Sequence, residues 1–118
     1  MFNWSDFLTL AEELSERQDE PSKRSAISRA YYSAFCNARE YLAQKEFKYT
    51  SKDRAHETVW KTFDRLGPQG KKISIQGDRL KRMRVRADYE NQCKNLNTLT
   101  KQALLEANSI CNSINTLK

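Results

Sequence analysis

The stretch SKRSAISRAYYSAFCNAREYL, residues 22–42, decides the fold class of this chain. Its apolar side chains recur at intervals of three and four residues, which is the period of an α-helix and not of a strand. Small alanines on that face let a second helix approach closely. The stretch therefore predicts a long core helix over residues 22–45, with Ser22 as its N-cap. The predicted core face consists of Ile27, Ala30, Tyr31, Ala34, Phe35, Ala38 and Leu42.

Four further segments show the same helical period, and no segment alternates with the period of a strand. The sequence GPQGKKISIQG, residues 67–77, is predicted to be a loop because Gly and Pro stand at its start and Gly77 at its end. These features predict an all-α fold, an up-and-down bundle of four or five helices. The four additional helices are predicted over residues 4–17, 52–65, 78–91 and 94–117.

The length of the chain fits one domain, residues 1–118, because 118 residues form a single core of ordinary size. No apolar run approaches the roughly 20 residues that span a bilayer, and the N-terminus has no apolar signal-peptide segment. We therefore expect a cytoplasmic protein that does not enter the membrane.

The cysteine and histidine content predicts neither disulfides nor a metal site. Cys36, Cys93 and Cys111 are odd in number, widely spaced and without a CxxC pair, so we expect reduced thiols. His56 is the only histidine, and paired zinc ligands are absent from the sequence. No metal and no cofactor are predicted.

The positive charge of the chain is concentrated in residues 71–86. The chain has 21 Lys and Arg against 15 Asp and Glu, and this segment alone has seven cations and one acid, so it contains the whole net charge of +6. Such concentration is typical of a surface that faces a polyanion, and the alternative is a solvated helix face. A weaker alternative, docking on DNA, lacks the spacing of a helix-turn-helix. The predicted nucleic-acid-binding residues are Lys71, Lys72, Arg79, Lys81, Arg82 and Arg84.

A polar group near the end of the predicted fourth helix is the candidate for catalysis, because no nucleotide-binding or hydrolase motif is present. RNA cleavage by the 2′-hydroxyl needs a group that moves a proton and a cation that stabilises the pentacovalent phosphate. An arginine of this helix and the histidine of the third helix are residues of those types. The alternative is an ion pair from Arg86 to Glu90 or Asp88 that only holds the bundle together. The candidate catalytic residues are Arg86, His56, Asp88 and Tyr89.

Two outer faces of the predicted helices are unusual for solvent. The second helix has Tyr32 and Cys36 opposite its core face, and the fifth helix has an outer face rich in Asn, Ser and Thr. Both faces predict a homodimer contact. The alternative is that Tyr32 covers a neighbouring helix of the same chain.

The chain resembles the HEPN superfamily (higher eukaryotes and prokaryotes nucleotide-binding). The resemblance rests on SRAYYSAF within residues 22–42, on His56, and on RVRADYE at residues 84–90, and it covers about residues 5–110. It is closest to the small prokaryotic branch and implies a helical bundle that is often homodimeric. Members include RNase toxins paired with nucleotidyltransferase antitoxins, antiviral nucleases and non-catalytic binding modules.

The resemblance implies an RNA-directed protein, a ribonuclease or RNA binder of a toxin–antitoxin or antiphage system. It implies that Arg82 and Arg86 hold phosphate, that Asp88 orients Arg86, and that His56 and Tyr89 line the cleft. The alternative is a non-catalytic module that binds a partner protein such as a nucleotidyltransferase.

One departure from the family pattern bears on catalysis. The nuclease branch has an arginine followed within a short interval by a histidine, whereas no histidine follows Arg84 or Arg86 in this sequence. A catalytic pair would therefore join the upstream His56 to Arg86 across the bundle or the dimer. The alternative is that catalysis is lost and a basic surface that binds nucleic acid or a nucleotide is left.

Overall fold

Five α-helices form the part of the chain that the structure, a computed structural model, describes, namely residues 2–45 and 55–117. The second helix is central: the first, fourth and fifth helices all pack against it, and the third packs mainly on the fourth. The predicted all-α bundle is confirmed. In chain order the helices are α1 (Asp6–Ser15), α2 (Glu20–Gln44), α3 (Ala55–Phe63), α4 (Gly67–Tyr89) and α5 (Leu96–Thr116).

Helix α2 begins at an aspartate cap. The Asp19 carboxylate accepts hydrogen bonds from the Ser22 backbone N–H at 3.0 Å and from the Ser22 hydroxyl at 2.7 Å. These hydrogen bonds hold the pKa of Asp19 below its ordinary value. The prediction of Ser22 as the N-cap is wrong because Pro21 fits inside the first turn, where its missing N–H costs nothing.

Helix α2 is covered around most of its circumference. The seven residues of its predicted core face are at most 4% exposed, which confirms that face. Cys36 on the opposite face is equally buried, and the half-buried Tyr32 ring packs edge-on against Tyr31 and His56. Cys36 is therefore too buried for an outer contact, and Tyr32 covers His56 of α3, as the alternative held; a dimer contact through Tyr32 stays a prediction.

The prediction of a loop at residues 67–77 is also wrong, because α4 begins at Gly67. Only Gly67 acts as a turn residue, with a φ of 82° that favours glycine. Gly70 and Gly77 are buried inside the helix. A Cβ at Gly77 would overlap the Trp60 ring, so this glycine allows α3 and α4 to approach closely.

The predicted first, third and fifth helices are confirmed with shorter ends, and the predicted fourth helix is confirmed with an earlier start at Gly67. Residues 52–54 of the predicted third helix lie outside the described residues. Core positions of these helices are buried as their period predicts. They include Leu8, Ala11, Val59, Trp60, Phe63, Leu80, Met83, Ala87, Leu99, Ala103, Ala107, Ile110 and Ile114.

Two further features concern thiols and membranes. Cys36, Cys93 and Cys111 are free cysteines, and the first and last are buried.

In residues 2–45 and 55–117, no helix combines the length and the apolar character that crossing a bilayer requires.

We expect Gly77→Ala to destabilise the protein by about 1–3 kcal/mol, because the added methyl group overpacks Trp60. Helix propensity alone predicts the opposite sign, a gain of about 1 kcal/mol. Urea unfolding measures the difference. Lys72→Ala, at an exposed position of the same helix, is the control and should change stability by less than about 0.5 kcal/mol. A Gly77→Ala protein more stable than the wild type would contradict the close packing.

Candidate functional site

The Tyr31 hydroxyl connects α2 with α3. Tyr31 is fully buried, Trp60 Nε1 donates to its hydroxyl at 3.1 Å, and the hydroxyl lies 2.7 Å from His56 Nδ1. The indole N–H can only donate, so the hydroxyl accepts from Trp60 and its own proton is left for His56 Nδ1. Burial raises the pKa of Tyr31 well above its ordinary value, which keeps that proton in place. A neutral His56 then has its proton on Nε2.

The half-buried His56 ring is held neutral by its surroundings. It stacks on Phe35, with ring centroids 4.1 Å apart, and on Tyr31 at 5.5 Å. Burial lowers the pKa of His56 below its ordinary value near 6.5, and the charges of Arg84, Lys81 and Arg39 lower it further. His56 is therefore a neutral imidazole beside several cations at neutral pH.

Arg84 of α4 is an enclosed cation. Its guanidinium lies over the rings of Tyr31 and Tyr32, at 5.4 and 5.7 Å from their centroids, and its side chain is only 13% exposed. Nη1 donates to Asp88 Oδ2 at 3.2 Å. The buried Nε has no acceptor among the described residues. A buried guanidinium donor without an acceptor costs free energy, so an anion bound here would stabilise the site.

Arg39 and Lys81 complete the site. The Arg39 guanidinium lies 5.8 Å from the centroid of Phe35, the ring that stacks on His56. Lys81 precedes Arg84 by three residues and therefore lies on the same side of α4. We call His56, Arg39, Lys81 and Arg84 the cationic cluster.

Arg86 lies outside the cationic cluster. Arg84 and Arg86 point roughly 200° apart, because an α-helix has about 3.6 residues per turn. Arg86 donates to Glu90 and to the Lys94 carbonyl, each at 3.3 Å. Of the alternatives weighed from the sequence, the Arg86–Glu90 pair is therefore present.

Of the other predicted catalytic residues, His56 and Asp88 lie near Arg84, whereas Tyr89 does not belong to the cationic cluster. The prediction that Asp88 orients Arg86 is wrong, because Asp88 pairs with Arg84. Tyr89 is strongly exposed and makes no ring contact with His56 in the described structure. The structure thus brings His56 and Asp88 to Arg84. The catalytic roles of the four residues stay predictions.

The arginines of the basic segment are largely neutralised by carboxylates. Asp88 and Glu90 follow the segment directly, and Glu106 of α5 reaches it from the neighbouring helix. In the described ranges, Lys71, Lys72 and Lys81 have no carboxylate at ion-pair distance. Nucleic-acid binding by the six predicted residues stays a prediction. The pairs are Arg79–Glu106 at 2.6 Å, Arg82–Asp78, Arg84–Asp88 at 3.2 Å and Arg86–Glu90 at 3.3 Å.

Sequence reasoning assigned Tyr31 and Trp60 to the core and missed their part in the site. One available signal was that a buried Tyr or Trp needs a partner for its polar group. A second signal was the spacing of His56 and Trp60, which are four residues apart and so share one face of α3.

Comparison with known proteins adds no assignment, since no family model, curated protein or solved structure matches the chain. The described residues also contain no group of three or more His, Cys, Asp or Glu that could hold a metal ion. The cationic cluster contains N–H donors, on Arg84 and on His56 Nε2, among several positive charges. Such a set binds an oxyanion such as a phosphate.

We expect the protein to lose stability as the pH falls below about 6.5. Because the pKa of His56 is lower in the folded chain than in the unfolded chain, the unfolded state takes up the proton first. The contribution is present above the ordinary pKa near 6.5 and is lost as the pH falls through the lowered pKa of the folded chain. Urea unfolding across this range measures it. His56→Gln, which cannot take up the proton, should flatten the dependence, and an unchanged slope in that variant would assign the effect to other groups.

Proposed function

We propose that this chain is an RNA-directed protein of HEPN type that binds a phosphodiester of RNA at the cationic cluster. The observation that carries the proposal is the neutral His56 beside Arg39, Lys81 and Arg84, with an acceptor-free Nε on Arg84. Backbone phosphates supply the charge that such a site favours. The resemblance to HEPN proteins supports RNA as the polymer and a toxin–antitoxin or antiphage system as the setting.

The same groups supply part of what RNA transesterification needs. In the proposed step the 2′ oxygen bonds to phosphorus and the bond from phosphorus to the 5′ oxygen breaks. The 2′-hydroxyl proton passes to water and the 5′ oxygen takes a proton from water, while His56 Nε2–H donates a hydrogen bond to a phosphate oxygen. Arg84 stabilises the charge of the pentacovalent phosphate. Cleavage is therefore the chemistry that we assign to bound RNA.

Arg84→Ala and His56→Ala should each lower the rate of RNA cleavage about 10²-fold or more, through loss of charge stabilisation or of the hydrogen bond from Nε2–H to the phosphate. Arg84→Ala should also weaken RNA binding. Arg86→Ala is the matched control, because Arg86 is also an arginine of α4 with a carboxylate four residues on but lies outside the cluster. Cleavage and fluorescence anisotropy of a labelled single-stranded RNA, at one salt concentration, measure both effects. Circular dichroism confirms that each variant is folded.

The outcomes separate the two parts of the proposal. Equal losses from Arg84→Ala and Arg86→Ala would mean that α4 acts only through its overall charge. Wild-type protein that binds RNA and leaves it intact would remove the cleavage step and keep the binding site.

We also propose a homodimer whose two-fold axis lies beside α4, with the contact formed by an outward stripe of that helix. Six large hydrophobic side chains are exposed in the described residues, and three of them lie on one outward stripe of α4. These are Ile75, Val85 and Tyr89, which are 52%, 40% and 73% exposed. The stripe recurs at alternating intervals of four and three residues, the spacing of a helix–helix contact. Its members are Lys71, Ile75, Asp78, Arg82, Val85 and Tyr89.

The stripe is complementary to itself when two α4 helices run antiparallel. With a two-fold axis at the level of Leu80, Ile75 faces the partner's Val85 and Asp78 faces the partner's Arg82. Lys71 then faces the partner's Tyr89, an ammonium against an aromatic ring. An apolar pair, an ion pair and a cation–π pair thus form in one register, as an isologous contact requires.

Val85→Glu should convert the dimer to a monomer, because it puts a carboxylate into the apolar pair on both sides of the axis. Sedimentation at micromolar concentration measures the mass. Leu105→Glu changes an equally apolar and strongly exposed residue of α5 and is the control. Arg82→Asp alone should weaken the dimer, and adding Asp78→Arg should restore it. A monomeric wild type would leave the stripe for another protein, which favours the partner-binding module.

A further inference from the structure

A cluster of three aromatic rings covers the start of α1. The ring centroids of Phe2 and Trp4 are 5.0 Å apart, those of Phe2 and Phe7 are 5.2 Å apart, and those of Trp4 and Phe7 are 5.8 Å apart. Phe2 is 49% exposed, although an aromatic ring of this size is normally buried. The cluster therefore presents an aromatic surface to solvent next to the bundle.

Two arginines of α2 connect this cluster with the cationic cluster. Arg29 lies 5.0 Å from the Phe7 centroid and 5.2 Å from that of Tyr32, a ring on which Arg84 also lies. Arg39 lies 5.3 Å from the Trp4 centroid and also contacts Phe35, the ring that stacks on His56. The exposed aromatic surface and the phosphate site thus belong to one continuous face.

The guanidinium groups on this face are suited to a polyanion. A guanidinium that lies over a ring directs its N–H donors outward in its own plane, where they can meet phosphate oxygens. Arg29 has no carboxylate at ion-pair distance among the described residues, so its charge is not neutralised locally. A face that alternates aromatic rings with arginines matches the proteins that hold unpaired nucleotides, whose bases stack while their phosphates meet cations.

We propose that this face is a stacking subsite for an unpaired nucleotide of RNA. The aromatic platform, as we call Phe2, Trp4, Phe7, Arg29 and Arg39, receives a base on the open side of Phe2. Arg29 and Arg39 contact the phosphate that follows, next to the one at Arg84. The inference rests on the proposed function and narrows its substrate to single-stranded RNA, because a base inside a duplex cannot reach the Phe2 ring.

Phe2→Ala should weaken binding of a single-stranded oligoribonucleotide of roughly ten nucleotides about tenfold. Binding of a duplex of the same sequence should not change. Leu105→Ala removes a similarly exposed apolar side chain from α5 and should leave both affinities within about twofold. Phe2→Tyr retains the ring and should restore the affinity for the single strand. Thermal unfolding of each variant shows that the fold is retained.

Tryptophan fluorescence gives a second measurement. Trp4 belongs to the platform whereas Trp60 is buried, so the single-stranded RNA should quench the emission of Trp4. Trp4→Phe removes the platform's fluorophore and should therefore remove the quenching. The duplex should not quench either protein.

The outcomes distinguish the platform from the phosphate site. If Phe2→Ala binds single strands as Leu105→Ala does while Arg84→Ala still weakens binding, the platform is overturned and the phosphate site stands. If Arg84→Ala binds as the wild type does, the phosphate site is overturned, and a Phe2-dependent loss still supports the platform. If the wild-type protein binds the single strand and the duplex with equal affinity and shows no quenching, the platform is overturned. The exposed Phe2 ring would then be assigned to a contact with another protein.

Discussion

The buried Tyr31 hydroxyl is the contact on which the arrangement of this protein depends. A hydroxyl at zero exposure in the central helix must be hydrogen-bonded, because burying it without a partner costs about 1–3 kcal/mol. Both of its partners, His56 and Trp60, lie one turn apart on α3, so satisfying the hydroxyl sets the rotation of α3 against α2. Trp60 then fills the space beside Gly77 and so sets how closely α4 approaches. The Tyr31 ring also lies against Arg84, and one core contact thereby positions the two main groups of the candidate site.

Electrostatics at the site is local and does not follow from the overall charge. The net charge of +6 indicates a positively charged face, but every arginine of α4 has a carboxylate partner. Exposed ion pairs such as Arg82–Asp78 contribute only about 0–1 kcal/mol each, so a phosphate can replace the carboxylate at small cost. The enclosed Arg84 differs, because its guanidinium lies over the Tyr31 ring and its buried Nε has no acceptor among the described residues. The positive charge that is available to an anion therefore lies on a few side chains of the cluster, although the composition shows only that the whole segment is basic.

Most of the helices could be predicted because their apolar period reports directly which face is buried. The error at residues 67–77 has a definite cause, since glycine serves both turns and close helix packing. Gly67 forms a turn, whereas Gly77 allows close helix packing. Nothing in the local sequence separates the two uses, because the difference lies in Trp60, which belongs to another helix. The same limit applies to the prediction for Tyr32 and Cys36. The sequence of α2 alone does not show which other helices pack on that side of it.

The sequence by itself determined the all-α class, the core faces of the helices, the position of the one histidine and the segment that contains the net charge. Each of these depends on residue type and on spacing along one helix. Only the tertiary structure decided that the charge of Arg84 acts on His56, that Asp88 pairs with Arg84, and that Arg39 lies near the Phe35 ring that stacks on His56. These contacts depend on the rotation and approach of α2, α3 and α4. Tyr31, Trp60 and Gly77, which belong to three different helices, set that geometry by packing together. A sequence pattern within one helix cannot show such a contact.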